Sequence, residues 1–263
     1  MKTFLTIAGS DPSGGAGIQA DIKTAAAFGL YAMGAVTALT VQNTLGVRKV
    51  APIDAGIVYD QAAAVFDDIF PDCVKIGMCC DEYIVSAIAE LLERYRPKNV
   101  VVDTILLSTS GSSLLSENGA ELMKKRLFPL ADIITPNVPE AERLTGIHIR
   151  SEEDMERAAE FLFEQYGCGV FLKGGHLNGC DIFYDGKFSR YSHKLIASRN
   201  THGTGCTLSS AAACLMAQGK TAAEAALGAA EYVVGAINSG MDLGAGNGPL
   251  DHFYSIRAGT ARH

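Results

Sequence analysis

Phe4-Leu-Thr-Ile-Ala8 runs directly into Gly9-Ser-Asp-Pro-Ser-Gly-Gly-Ala-Gly-Ile-Gln-Ala-Asp21: an apolar run of strand length, a glycine-rich turn, then the start of a helical pattern. A short apolar run bounded by turn residues reads as a strand buried on both faces. The unit recurs down the chain, in Val74–Met78, Val100–Asp103, Ile133–Thr135 and Val170–Lys173, each followed by Gly, Pro, Ser or Asn and then a helix. Between these runs Val58, Ala62, Val65 and Ile69, and again Ile84, Ile88, Leu91 and Tyr95, recur at spacings of three and four, which places each set on one helical face. Repeated strand–helix order predicts an α/β fold, a central, mainly parallel β-sheet flanked by α-helices on both faces. Ligands of such sheets sit outside the carboxyl ends of the strands, so chemistry is expected in the loops that follow them.

The last third changes texture. Asp181–Tyr184 and Lys187–Tyr191 are short strand candidates, and Ala-rich helices are predicted from about Cys206 and from Ala222. Thr221-Ala-Ala-Glu224 has the spacing at which each side chain caps the other's free amide, and Ser151 to Asp154 offers a weaker version for the helix through Gln165. No low-complexity linker or repeat interrupts the chain, and residues 1–263 read as one domain.

With 263 residues, 48% of them apolar and 19% charged, a buried core is readily supplied. The net charge of −7 and the lack of a basic cluster exclude a nucleic-acid surface, so a small-molecule partner is expected. Met1 to Ala8 carries one lysine and an apolar run too short for a signal sequence or membrane span, so a cytoplasmic protein is expected. Seven cysteines without a disulfide-scaffold spacing read mostly as reduced core residues.

Two segments carry the chemistry. In Asn200-Thr-His-Gly-Thr-Gly-Cys206-Thr207 two glycines precede a helix, and exposed amides with the helix dipole make an anion site suited to a transferring phosphoryl group. A thiol in a first helical turn is favoured as thiolate, so Cys206 is expected to take the proton of an attacking hydroxyl. Spacing alone equally admits a glycine-kinked loop into a core helix, with Cys206 merely small and buried. The first loop is no Walker A motif, lacking Gly-Lys-Ser/Thr, and Gly14-Gly15-x-Gly17 is not the dinucleotide spacing. It reads as a loop that brings backbone close to a flat ligand, or as a tight turn capped by Ser13.

Gly9 to Asp21, Val41-Gln-Asn43, Lys75-Ile-Gly-Met78, Thr135-Pro-Asn-Val-Pro-Glu140, Lys173-Gly-Gly-His176 and Thr201-His-Gly-Thr-Gly-Cys-Thr207 together resemble the hydroxymethylpyrimidine kinase branch of the ribokinase superfamily, in the family's order and over nearly the whole chain. The resemblance implies a ribokinase-like fold, ATP and Mg²⁺ as cofactors, and two successive phosphorylations, of hydroxymethylpyrimidine and then of its monophosphate. It maps the catalytic residue to Cys206 and the anion hole to Gly203, Thr204 and Gly205. On the pyrimidine side it implies Gly9, Ala16, Asp21, Gln42, Met78 and Ile105. The Gln42 carboxamide supplies the donor and acceptor that an aminopyrimidine edge requires, and Met78 packs on the ring; each also reads as an ordinary strand-end or core residue. On the nucleotide side it implies Asn137, Glu140 and Lys173, with Glu140 and Asp103 organising the metal through water. Relatives imply a homodimer.

Asp103-Thr-Ile-Leu-Leu-Ser-Thr109-Ser-Gly111 departs from the family's Asp-Pro-Val-Met with its downstream Lys-Ser-Gly, so the basic contact expected near Thr109 is missing. A pyridoxal or pyridoxine kinase of the same branch is the nearest rival, and Gln42-Asn43 argues for the pyrimidine. A non-catalytic nucleotide or pyrimidine sensor is opposed by Gly203, Gly205, Cys206 and Glu140 together. A cysteine-nucleophile hydrolase lacks the oriented His/Asp set it needs.

Overall fold

A computed structural model describes residues 1–105, 115–175, 179–194 and 196–260. Its strands are β1 (Thr3–Ser10), β2 (Tyr31–Asn43), β3 (Gly46–Pro52), β4 (Cys73–Ile76), β5 (Val100–Val102), β6 (Ile133–Ile134), β7 (Gly169–Leu172), β8 (Cys180–Tyr184) and β9 (Phe188–Ser192). They form one sheet in the order β3-β2-β1-β4-β5-β6-β7-β8-β9. From β2 to β7 every pairing is parallel, while β3, β8 and β9 pair antiparallel at the margins. The chain begins in the interior at β1, builds outward through β2, then crosses back to β4. That reversal opens a crevice at the carboxyl ends of β1 and β4, the position at which open α/β sheets bind ligands.

The helices are α1 (Gly17–Ala27), α2 (Ala55–Asp68), α3 (Glu82–Tyr95), α4 (Glu117–Leu122), α5 (Val138–Thr145), α6 (Glu152–Tyr166), α7 (Thr204–Ala217), α8 (Ala222–Asn238) and α9 (Tyr254–Thr260). They cover both faces, and the period of two along each strand sorts its side chains between two cores. Leu5, Ile7, Val74, Ile76, Val100, Val102, Ile134, Val170 and Leu172 join residues of α2, α3 and α6 on one side. Phe4, Cys73, Val101, Ile133 and Phe171 join α7 and α8 on the other. In α2 it is Phe66 that is buried, while Ile69 ends the helix 39% exposed, so the expected apolar face is narrower than its spacing suggests. Thr221 and Glu224 form the expected reciprocal cap of α8, and Ser151 Oγ accepts the Asp154 amide at the start of α6.

The 13-residue β2 had no clear signature in the sequence. Its small residues and irregular burial show neither alternation nor a continuous apolar run; pairing with β1 and β3 on either side holds it extended. Six of the seven cysteines are buried, Cys80 is half-buried, and none forms a disulfide. Among the described residues no helix is long and apolar enough to cross a membrane.

Behind α7, His252 is 3% exposed, with Nε2 at 3.0 Å from Thr207 Oγ1 and its carbonyl accepting the Tyr232 hydroxyl at 2.6 Å. Burial pushes its pKa down to about 4. The unfolded chain therefore takes up a proton below about 6.5 that the fold refuses until about 4, and stability falls as pH drops through that window. The loss from this residue by pH 5 is expected to be about 2 kcal/mol. Urea unfolding at pH 7.5 and pH 5 tests it: His252→Gln is expected to shrink the difference, and an unchanged difference would remove His252 as the cause.

Candidate active site

The first loop is folded around Asp11 rather than capped by Ser13. Its carboxylate, 2% exposed, accepts the Ser13 amide and hydroxyl at 2.8 and 2.7 Å, the Gly15 amide at 3.1 Å and the Ala16 amide at 2.9 Å. His202 Nε2 approaches the same carboxylate at 2.8 Å. Burial works against its charge, but the bonds from His202, Ser13 and the Ala16 amide outweigh it and hold the pKa down at about 2. Gly17 has φ +57°, and a Cβ there would stand 2.2 Å from the Gly9 carbonyl oxygen, so this close crossing of backbone requires glycine.

Beneath the loop lies a buried ion pair. Lys75 Nζ donates to both oxygens of Asp21, at 2.9 and 2.8 Å, and neither side chain is exposed. Thr6 and Ser210 add hydroxyl bonds at 2.6 and 2.8 Å. Burial holds the Asp21 carboxyl above its ordinary value, against the pull of Lys75 and the two hydroxyls. Burial likewise opposes the Lys75 ammonium, but Asp21, Cys206 and Asp103 hold it above its ordinary value. With four donor contacts on its two oxygens and a lysine held as ammonium, Asp21 is ionised. Saturated in this way, it supports the site from below, which differs from the expected contact with the ring.

The second loop closes over the first. Gly203 has φ +86°, and a Cβ there would fall 1.8 Å from the Gly15 carbonyl oxygen, so no other residue fits. It precedes α7, which has no side-chain cap, leaving first-turn amides for an anion. The Thr204 amide makes only a long contact, 3.3 Å, to the Thr201 carbonyl. Cys206 lies in that first turn, 8% exposed. Burial pushes its thiol up to about 11, against the pull of Lys75, with Asp21 and Asp103 adding to the rise. The thiolate expected from the helix terminus is thus corrected: at neutral pH Cys206 is protonated, because desolvation exceeds the stabilisation from Lys75 and the Gly17 amide.

On the far side, a Cβ at Gly205 would lie 3.4 Å from Asp103 Oδ2 and 3.7 Å from Lys173 Nζ. Asp103, 1% exposed, accepts Thr135 Oγ1 at 3.1 Å and Lys173 Nζ at 3.4 Å. Glu140 Oε2 accepts Thr104 Oγ1 and the Asn137 amide, both at 2.9 Å, while Asn137 Oδ1 accepts the Glu140 amide, the reciprocal cap of α5. Burial pushes the Glu140 carboxyl up, and the Asp103 charge adds to this against Lys173. Two mutually repelling buried carboxylates beside an ammonium suit a divalent cation that keeps most of its waters. Among the described residues no group of three or more His, Cys, Asp or Glu side chains that could hold a metal ion is found.

Of the residues expected on the ring side, Gly9 and Met78 meet at the β1 and β4 ends. A Cβ at Gly9 would meet Met78 Cε at 3.4 Å. Ala16 caps the start of α1, the Ile105 amide donates to the Asp103 carbonyl at 2.9 Å, and Gln42 Nε2 stands 3.1 Å from His202 Nε2. The departure at Thr109 and the family-motif residue His176 lie outside the described residues. Sequence reading missed Lys75, Asp11 and His202 as parts of the site. The presence of Asp11, Lys75 and His202 inside the quoted motifs was the available signal, but the partners of each pair lie 54 and 191 residues apart.

Residues 11–251 match the phosphomethylpyrimidine kinase family. The chain is 41% identical over 254 residues to the hydroxymethylpyrimidine/phosphomethylpyrimidine kinase of Bacillus subtilis, covering 95% of this chain and 94% of that protein. It is 47% identical over 254 residues to the thiamine biosynthesis bifunctional protein ThiED of Geobacter sulfurreducens, covering 95% of this chain but only 52% of that protein's length. The crystal structure of phosphomethylpyrimidine kinase from Clostridium difficile superposes with a TM-score of 0.80 at 44% identity, covering 89% of this chain and 98% of the other. Pyridoxal kinase from Staphylococcus aureus in complex with AMP-PCP superposes with a TM-score of 0.90 at 34% identity, covering 98% and 95%.

Proposed function

The chain belongs to the phosphomethylpyrimidine kinase family, and from that premise we propose that it phosphorylates 4-amino-5-hydroxymethyl-2-methylpyrimidine with ATP and Mg²⁺, then the monophosphate to the diphosphate, in thiamine biosynthesis. The fold is ribokinase-like. One observation supports the reading: the uncapped α7 terminus meets the first loop through Gly203 against the Gly15 carbonyl and the Asp103–Lys173 pair through Gly205.

In this reading the ring lies against Met78 and Gly9 with its polar edge on Gln42, bringing its hydroxymethyl group toward Cys206. The α7 amides from Gly203 to Gly205 neutralise charge on the transferring phosphoryl group, and Lys173 holds the phosphates. Asp103 and Glu140 would hold Mg²⁺ through water, and the metal when bound neutralises phosphate charge. In its scarce thiolate form, which Lys75 below favours, Cys206 accepts the hydroxyl proton at Sγ as the new bond forms and is left as the neutral thiol. The protein works in the cytoplasm. It pairs as a homodimer through the outer end of β2 and its turn, where Leu39, Val41 and Leu45 are 53%, 53% and 68% exposed.

Incubation with ATP and Mg²⁺ and either hydroxymethylpyrimidine or pyridoxal, followed by mass spectrometry, is expected to yield pyrimidine mono- and diphosphate. Pyridoxal phosphate alone would move the substrate to the other ring, and no ATP-dependent product would end the kinase reading.

A further inference from the structure

His202 Nε2 has two neighbours that cannot both be served by the amide as placed: Asp11 Oδ2 at 2.8 Å and Gln42 Nε2 at 3.1 Å. Asp11 Oδ2 also accepts the Gly15 and Ala16 amides, the pattern of an ionised carboxylate, which has no proton to give. The proton of the short contact therefore sits on His202 Nε2. An N–H facing the –NH₂ of Gln42 would set donor against donor, so the carboxamide stands the other way round, its oxygen toward His202 and its nitrogen toward Thr40 Oγ1 at 3.2 Å. Thr40 is suited to this, since its hydroxyl hydrogen goes to the Ser10 carbonyl at 3.0 Å and leaves a lone pair free to accept. The one Nε2 hydrogen is then shared between Asp11 Oδ2 and the Gln42 oxygen, one Gln42 amide hydrogen goes to Thr40, and the second is left for the ring.

We infer that His202 is a positioning residue that sets which way round Gln42 presents its donor and acceptor to the substrate ring, and so selects rings by the order of those groups on their edge. Only the identity of the ring rests on the kinase reading. A 4-aminopyrimidine edge reads donor then acceptor at the exocyclic group and N3; the 4-oxo analogue, protonated at N3, reads the reverse. A carboxamide held in one orientation serves one of these and opposes the other, whereas a free one turns to serve either. His202 is itself held by Asp11 and by Gly15, where a Cβ would come within 2.3 Å of the imidazole Cδ2, so the ring packs on bare backbone. It directly precedes Gly203, so the peptide that carries the anion loop also sets ring selectivity.

The test compares kcat/KM for the 4-amino pyrimidine and its 4-oxo analogue in wild type, His202→Phe and His202→Gln. His202→Phe keeps a ring against Gly15 but has no donor, and its amino-over-oxo preference is expected to fall about tenfold, the worth of one hydrogen bond, with the KM for ATP unchanged. His202→Gln, whose amide can still donate, is expected to restore much of the preference. Gly15→Ala, which displaces the imidazole, is expected to act as His202→Phe does. An unchanged preference in His202→Phe, or an equal loss for both pyrimidines, would overturn the inference. Nitrogen-15 spectra of the ligand-free protein give a readout independent of activity: His202 is expected to carry a proton at Nε2, and an Nε2 without one would overturn the inference whatever the enzyme phosphorylates. If the wild type phosphorylates neither pyrimidine the kinase reading fails, and the Nε2 proton still decides the His202–Gln42 hydrogen bond.

Discussion

Cys206→Ala is expected to lower turnover of the hydroxymethyl step by ~10²–10⁴, the range for loss of a general base, with the KM for the pyrimidine changed little. The side chain is small and the loop around it is held by Gly203, Asp11 and the Gly15 carbonyl, so truncation leaves the anion site standing. The residual rate comes from positioning and from the α7 amides, which carry much of any phosphoryl transfer. The pH profile adds a second reading. Burial raises the thiol to about 11 in the free protein, so the base form is scarce at neutral pH and grows with pH. Wild-type kcat/KM is expected to rise with pH toward about 11, and the Cys206→Ala profile to lose that rise. Near-normal turnover in Cys206→Ala would remove the residue from the chemistry.

Lys75→Met is expected to destabilise the fold by about 3–5 kcal/mol, because it leaves the Asp21 carboxylate fully buried with only Thr6 and Ser210 as donors. The cost is that of an orphaned charge rather than of the pair itself, so Lys75→Met combined with Asp21→Leu is expected to recover most of the loss. Urea unfolding of wild type, the single and the double variant measures both quantities. A double variant as unstable as the single would show that the pair is not the cause. Because Asp21 ties α1 to β4, β1 and α7 through Lys75, Thr6 and Ser210, the single variant is also expected to loosen the loop carrying Cys206.

Much of this protein was determined by short-range information in its sequence. Apolar runs at Phe4, Val74, Val100, Ile133 and Val170 fell in β1, β4, β5, β6 and β7, because a strand buried on both faces must be apolar throughout. Thr221 with Glu224 formed its cap within a single turn, as local capping does. The two glycine loops were legible for the same reason, since a positive φ or a close backbone crossing restricts the residue at that position whatever surrounds it. Tertiary structure alone decided the rest. β2 is extended because of its neighbours and not its own pattern. Asp21 faces Lys75 across 54 residues and Asp11 faces His202 across 191, and the protonation of Cys206 is a sum over burial, Lys75, Asp21 and Asp103. Hydrogen-bond partners and local dielectric belong to positions in space, and no spacing along the chain encodes them until the chain has folded.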